Sequence, residues 1–167
     1  MALSVKIQWA KAITLGAKGA FQRNLVKLLP DLPTIPGIYV FGRKHGDRLV
    51  PIYIGQASNG FRSRLKQQAN NLRLMEGVKE EKNGERVLLL GIVKLAQGQQ
   101  LDRVLDVAEQ AHIEHALTEG HPILNIKGTK TKRHEVNIDG PKSHAHPFPR
   151  KMFLAVPKKA HKSRRKR

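Results

Sequence analysis

A glutamate inside an apolar helical stripe is the first candidate for chemistry in this chain. Residues 101–117 have helical periodicity, and Glu109 falls in the arc between Leu105, Ile113 and Ala116. A carboxylate in such an arc needs a partner, and a divalent cation is one. A hard oxygen ligand suits Mg²⁺ or Mn²⁺ that is bound largely by water and by a substrate phosphate. A salt bridge to a neighbouring Lys or Arg is the alternative partner.

The only two tyrosines of the chain lie in two short β-prone runs. Tyr39 closes the triplet Gly-Ile-Tyr at 37–39, and Tyr53 opens the triplet Tyr-Ile-Gly at 53–55. The turn-like segment 44–48 separates the two runs, which predicts a β-hairpin. A turn centred on Gly46 would place Tyr39 directly opposite Tyr53.

The two faces of this hairpin are expected to differ, because side chains alternate along a strand. One face would carry Tyr39, Phe41 and Tyr53 and would form a site. The other face would form core, and its residues are Ile38, Val40, Ile52 and Ile54. Pro51 cannot donate to a sheet ladder, which predicts a bulge or a locally unpaired stretch there.

The two triplets resemble the signature of the GIY-YIG nucleases, which are metal-dependent enzymes that cut nucleic acid strands. The resemblance covers residues 36–127. It implies an arginine early in the following helix, for which Arg64 is the match and Arg62 the fallback, after a loop about one residue longer than usual. A guanidinium can hold a phosphate through two parallel hydrogen bonds while negative charge builds during attack.

The same resemblance implies roles for residues further along the chain. It selects Glu109 as the ligand of one Mg²⁺ or Mn²⁺ ion per site, since an aliphatic residue follows four positions later. It also matches Asn125 to the asparagine that closes the core, in a structural or phosphate-orienting role. Among the histidines, His112 and His115 lie at helical spacing from Glu109, but the chain has no HExxH pattern, so a zinc site is not favoured.

Gln68 departs from the family pattern. Many members have a His or Tyr four residues after the arginine, whereas a glutamine can hold a water or a phosphate oxygen but cannot take a proton at neutral pH. The resemblance then implies Tyr39 as the base, acting through a polarised water, with Tyr53 positioning the water or the phosphate. A phenol with a pKa of about 10 is a poor base until a cation lowers that pKa. His45 is the alternative base.

The charge of the chain points to a polyanionic partner. Its formal net charge is +18 and its pI is near 10.7, and phosphate neutralisation with counterion release compensates such self-repulsion. We expect nucleic acid, DNA rather than RNA, and not a membrane, because no long apolar run is present. The family resemblance also allows a protein partner that targets the chain to its nucleic acid, as in some relatives. The expected phosphate-binding side chains are Arg62, Lys66, Lys127, Lys130, Lys132, Arg133, Arg164 and Arg165.

The remaining pattern predicts three segments. Residues 1–35 are expected to form a helical leader with Trp9 in the core, residues 36–127 the nuclease-like domain, and residues 128–167 a basic, flexible tail with one docked piece at 152–156. Within the domain we expect a helix from Ser58 or Asn59 to Met75, with Leu65, Ala69 and Leu72 on its inner side. A loop at 76–85, a buried strand at 87–95 and a helix at 101–117 should follow.

These elements predict an α/β (α+β) domain with a central, three-stranded, mainly antiparallel sheet flanked by helices. The expected function is metal-dependent hydrolysis of phosphodiester bonds with weak sequence preference. The alternative is a catalytically degenerate domain that only binds DNA or RNA, with Gln68 as its trace. A third interpretation is a basic ribosome-associated or structural protein, which a tyrosine face packed against the leader would favour. The chain has no cysteine, so an intracellular location, cytoplasmic or nucleoid-associated, is expected.

Overall fold

The computed structural model describes residues 3–121 and 123–125, together with the backbone of two strands at 133–137 and 151–155. Its elements are, in chain order, β1 (Lys6–Trp9), β2 (Ile13–Gly16), α1 (Phe21–Leu28), a 3-10 turn (Leu29–Asp31), β3 (Gly37–His45), β4 (Arg48–Ala57), α2 (Phe61–Ala69), α3 (Leu72–Glu80), β5 (Glu85–Lys94), α4 (Leu101–Thr118), β6 (Arg133–Asn137) and β7 (Lys151–Ala155).

The main sheet is antiparallel and has the order β1-β5-β3-β4, with β2 also paired to β5. The predicted mixed α and β class is therefore confirmed, but the sheet has five strands rather than three. The buried strand predicted at 87–95 is the central β5, which pairs with β3 on one side and with β1 and β2 on the other. Strand β4 lies at an edge of the sheet, where no further strand covers it in the described part of the chain.

The prediction of a helical leader was wrong for residues 6–9 and 13–16, which form β1 and β2. Ile7, Trp9 and Ile13 are β-branched or aromatic, and the open side of β5 gives them a partner. Within the leader, α1 and the 3-10 turn that follows it are helical, and Leu25 is buried in α1. Trp9 was expected in the core, but it lies on an edge strand and is 43% exposed.

The hairpin forms, but in a different register from the one predicted. Gly46 and Asp47 make a two-residue turn, and a bulge at the level of Pro51 shifts the pairing by one residue, as the missing N–H of Pro51 predicted. Tyr39 therefore lies opposite Gly55, and Phe41 opposite Tyr53. The predicted direct pairing of Tyr39 with Tyr53 was wrong because the turn is centred between Gly46 and Asp47 rather than on Gly46, and because a bulge intervenes.

Both faces of the sheet are core. Tyr39 and Phe41 pack in one apolar cluster with leader residues such as Phe21, and Ile52 joins this cluster because of the bulge. Ile38, Val40 and Ile54 pack in a second cluster against α4, as predicted for those three. The prediction that the tyrosine face forms an open site was wrong for Tyr39, whose side chain is 0% exposed.

The helix predicted at 58–75 is two helices. It breaks after α2, and the side chain of Asn71 accepts a hydrogen bond from the backbone N–H of Leu74 at 3.1 Å, which caps α3. Leu65 and Ala69 are buried as predicted, whereas Leu72 is 71% exposed. The predicted loop at 76–85 is helical as far as Glu80. The helix predicted at 101–117 is confirmed as α4.

The basic tail contains two paired strands, β6 and β7, where the sequence predicted a flexible segment with one docked piece. That piece, 152–156, overlaps β7. Among the residues that the structure describes, no helix has the length and apolar character needed to cross a membrane.

Candidate functional site at the edge of the sheet

The ring of Tyr39 reaches the β4 edge because position 55 has no side chain. Gly55 lies opposite Tyr39, and a Cβ there would overlap the ring and the hydroxyl oxygen of Tyr39. Gly37 is restricted as well, since a Cβ there would overlap the backbone oxygen of Gly91 and the ring of Phe61. The two glycines of the triplets are thus required by close packing.

The hydroxyl of Tyr39 is the buried end of a chain of hydrogen bonds that leads to the exposed Asn71. Gln68 donates from Nε2 to this hydroxyl at 2.7 Å, and Asn71 donates from Nδ2 to Oε1 of Gln68 at 3.3 Å. Burial raises the pKa of Tyr39 well above that of a free phenol, and the neighbouring Tyr53 adds to this, while the charge of Arg64 and the bond from Gln68 act in the opposite direction. Tyr39 is therefore a neutral phenol in the free protein.

Arg64 extends from α2 into a cleft of about 240 Å³. Its Nη1 donates to Oε1 of Gln67 at 3.1 Å, but its buried Nε has no hydrogen-bond partner among the described residues. A buried donor without an acceptor is costly. The cleft is lined by Gln56, Ser58, Asn59, Ser63, Arg64 and Gln67.

Glu109 lies on α4 and is half-buried. Its Oε2 accepts a hydrogen bond from Nε2 of Gln56 at 3.1 Å. Burial raises the pKa of Glu109; the bond from Gln56 opposes this, Asp106 adds to it, and the charge of Arg64 opposes it. A cation would relieve this cost of burying a carboxylate.

The donors at this position fit a hard divalent ion that keeps most of its water. No three His, Cys, Asp or Glu side chains gather into a metal-binding group within residues 3–121 and 123–125. An ion here would depend on Glu109, water and a substrate phosphate, and Mg²⁺ is commonly bound through one or two carboxylates in this way.

Tyr53 and Asn125 do not line the cleft at Arg64. Tyr53 is half-buried, its ring centre lies 6.2 Å from that of Tyr39, and it lines a separate cleft of about 710 Å³ beside α3. Asn125 binds the backbone of Ile54 twice: its Oδ1 accepts from the N–H at 3.0 Å and its Nδ2 donates to the carbonyl at 2.6 Å. The structure thus brings Tyr39, Arg64 and Gln68 together, with Glu109 in electrostatic reach of Arg64, and gives Asn125 a structural role.

The other predicted side chains contribute less. Arg62 is exposed, and its Nε donates to the carbonyl of Leu32 at 3.1 Å, which ties this fallback residue to the leader. Lys66 and His45 are exposed, and His112 is bound through Nδ1 to the carbonyl of Ala108 at 2.6 Å. Arg133 begins β6. The predicted contacts at Lys127, Lys130, Lys132, Arg164 and Arg165 lie outside the described residues.

Sequence reasoning missed Gln56, which binds Glu109 and also Asp106. It directly follows the second triplet, and its distance from Tyr53 along β4 could have indicated that it lies on the α4 side of the sheet. The chain matches no known family model, no curated protein and no solved structure. Its function must be inferred from these residues and their geometry.

Proposed function

We propose that this chain is a metal-dependent endonuclease of the GIY-YIG type that hydrolyses phosphodiester bonds of nucleic acid, DNA rather than RNA, with weak sequence preference. The observation that carries this proposal is that Arg64 from α2 lies within electrostatic reach of both Tyr39 on β3 and Glu109 on α4. Three elements that are distant in sequence supply the three kinds of group that phosphodiester hydrolysis needs.

Arg64 has the role of binding the scissile phosphate. Its side chain points into an open cleft, and its Nε has no acceptor among the described residues. A phosphate oxygen bound to the guanidinium would have its developing negative charge stabilised.

Glu109 has the role of holding one Mg²⁺ or Mn²⁺, which when bound supplies a Lewis acid to the phosphate. Tyr39 then orients the attacking water through its hydroxyl. It can accept a proton only while positive charge nearby offsets the burial that raises its pKa. Gln68 fixes the hydroxyl of Tyr39 rather than taking part in proton transfer.

A domain that binds nucleic acid without cutting it is the second candidate. One observation favours it: the Tyr39 side chain is 0% exposed and its hydroxyl is occupied by Gln68. The third interpretation, a structural protein, would be favoured by a tyrosine face packed against the leader. Leader residues do pack on this face, but the clefts at Arg64 and at Tyr53 remain open.

The test compares the native protein, Glu109→Gln and the matched control Asp102→Asn, which changes an exposed carboxylate on the same helix. Each is incubated with labelled single-stranded, duplex and branched DNA and with single-stranded RNA, in Mg²⁺, Mn²⁺ or chelator. We expect cutting by the native protein and by Asp102→Asn only with metal, and a loss of at least about 100-fold in Glu109→Gln, since metal and charge stabilisation supplies several kcal/mol. Tight binding without cutting by all three proteins would favour the binding module.

A further inference from the structure

Gln56 has a donor arrangement that the proposed function does not yet use. A side-chain amide carries two N–H donors, and Nε2 of Gln56 donates to Oδ1 of Asp106 at 2.8 Å and to Oε2 of Glu109 at 3.1 Å. This one nitrogen is thus within hydrogen-bond distance of two carboxylates that lie about one helical turn apart on α4. Gln56 also lines the cleft into which Arg64 extends.

The backbone that carries Gln56 is fixed on both sides. Gln56 pairs with Ile38 in the sheet, and the backbone of Ile54 is held by the two hydrogen bonds to Asn125. A rigid strand therefore presents the amide to α4. Side chains on rigid elements hold their partners more accurately than side chains on loops.

A neutral donor at this position has a specific advantage. A lysine or arginine would neutralise the two carboxylates and would compete with a divalent ion. An amide reduces the repulsion between Asp106 and Glu109 and sets their direction, yet leaves their negative charge available to a cation.

We propose that Gln56 is the positioning residue of Glu109: its amide, anchored on Asp106, holds the Glu109 carboxylate at the β4 edge in the direction in which the divalent ion binds. This inference rests on the proposed function, because it assumes that Glu109 is the metal ligand. It adds two residues, Gln56 and Asp106, that orient the metal ligand Glu109 without binding the metal themselves.

The test measures binding of Mn²⁺ alone to the full chain, from the electron paramagnetic resonance signal of free Mn²⁺, without nucleic acid. The variants are Gln56→Leu, which removes both donors, Gln56→Asn, whose amide is one methylene too short to reach both carboxylates, and Asp106→Asn. Glu109→Gln is the reference for loss of the ligand. The matched controls are Asp102→Asn and Gln110→Leu, both exposed on α4.

We expect Gln56→Leu and Gln56→Asn to weaken Mn²⁺ binding about 10-fold to 100-fold, the usual effect of removing a group that orients a metal ligand. Asp106→Asn should weaken it less, because the bond from Gln56 to Glu109 remains. The melting temperature of metal-free Asp106→Asn should stay close to that of the native protein, since the Gln56 to Asp106 bond is exposed.

Native-like Mn²⁺ affinity in both Gln56 variants, together with its loss in Glu109→Gln, would overturn this inference and leave the proposed function intact. Loss in Asp106→Asn as complete as in Glu109→Gln, with the Gln56 variants unaffected, would also overturn it and would make Asp106 a direct ligand. If Glu109→Gln binds Mn²⁺ as the native protein does, Glu109 is not the metal ligand. Both the metal site of the proposed function and this inference would then be wrong.

Discussion

At the scale of single residues, the contact between Gly55 and Tyr39 determines the geometry of the site. The Tyr39 ring crosses the neighbouring strand in the space that a Cβ at position 55 would occupy. This contact brings the hydroxyl to Gln68 and into the field of Arg64. The second triplet therefore contributes an empty space to the site as well as a tyrosine.

Gly55→Ala should displace the Tyr39 ring. Because the new methyl group would overlap a buried ring, we expect a loss of about 1–3 kcal/mol in unfolding free energy. On the proposed function, nuclease activity should fall by more than this stability loss explains, since the hydroxyl moves. Urea unfolding and cleavage assays measure the two effects. Gly19→Ala is the control, because a Cβ there has no atom within 4 Å, and equal effects in both variants would contradict the prediction.

The raised pKa of Tyr39 predicts a loss of stability in alkali. Below a pH of about 10 the phenol is neutral in both the folded and the unfolded chain. Above it, the unfolded chain ionises while the folded chain does not, so the unfolding free energy decreases as the pH rises. Urea unfolding at a series of pH values should show this decrease, and Tyr39→Phe should show a smaller one. An identical pH dependence in the two proteins would refute the assignment.

At the scale of elements, the buried Arg86 holds the end of α3 in place. Its side chain is 0% exposed, and its guanidinium donates to five backbone carbonyls, those of Val78, Lys79, Glu81, Lys82 and Gly84. Burial lowers the pKa of Arg86, and nearby Glu81 opposes this. A positive charge at a helix C-terminus is favourable, and here it also determines the path of the chain into β5.

Arg86→Met should therefore loosen the connection between α3 and β5. It leaves several carbonyls without a donor, and we expect a loss of about 3 kcal/mol in unfolding free energy. Hydrogen exchange should increase at 79–85 in particular. Arg103→Met, on the exposed side of α4, is the comparison and should change stability little. A uniform increase in exchange over the whole domain would argue against a local role.

The elements that the sequence predicted are those whose signal is local. The apolar run of β5, the periodicity of α4 and the missing N–H of Pro51 each lie within a few residues of the feature that they predict. The leader strands could not be predicted in this way, because their partner is remote in sequence, as the pairing of Ile7 with Val93 shows.

In the candidate site, too, the sequence indicated some residues and not others. Arg64 and Glu109 follow from the order of motifs and from helical periodicity. The position of Tyr53 opposite Phe41, rather than opposite Tyr39, depends on a bulge and a two-residue turn acting together. The role of Arg86 was not visible, since an arginine beside an apolar run resembles the exposed end of a strand.

At the scale of the whole molecule, positive charge is concentrated towards the C-terminus. Residues 128–167 contain thirteen Lys and Arg but two Asp and Glu, in a chain whose formal net charge is +18. Attraction to phosphates is long-ranged and independent of sequence. On the proposed function, this segment provides affinity for nucleic acid, and the β4 edge provides the chemistry.

Neutralising the five Lys and Arg within residues 162–167 to Gln should weaken nucleic acid binding equally for all sequences. The slope of log K against log salt should become less steep by up to about 0.9 per lost phosphate contact. Fluorescence anisotropy at several salt concentrations measures both quantities. A variant with the same six residues in scrambled order is the control and should bind as the native chain does. An unchanged slope after neutralisation would show that this segment does not contact phosphate.

The two hydrogen bonds between Asn125 and the backbone of Ile54 also affect self-association. A strand at a sheet edge presents unpaired N–H and C=O groups, and these can recruit a strand from another molecule. The Asn125 amide offers one donor and one acceptor to a single residue of β4, as a peptide group of a neighbouring strand would. It therefore acts as a one-residue strand that blocks edge-to-edge pairing at this position of β4. On the proposed function, this edge can thus stay free for a substrate without being open to aggregation.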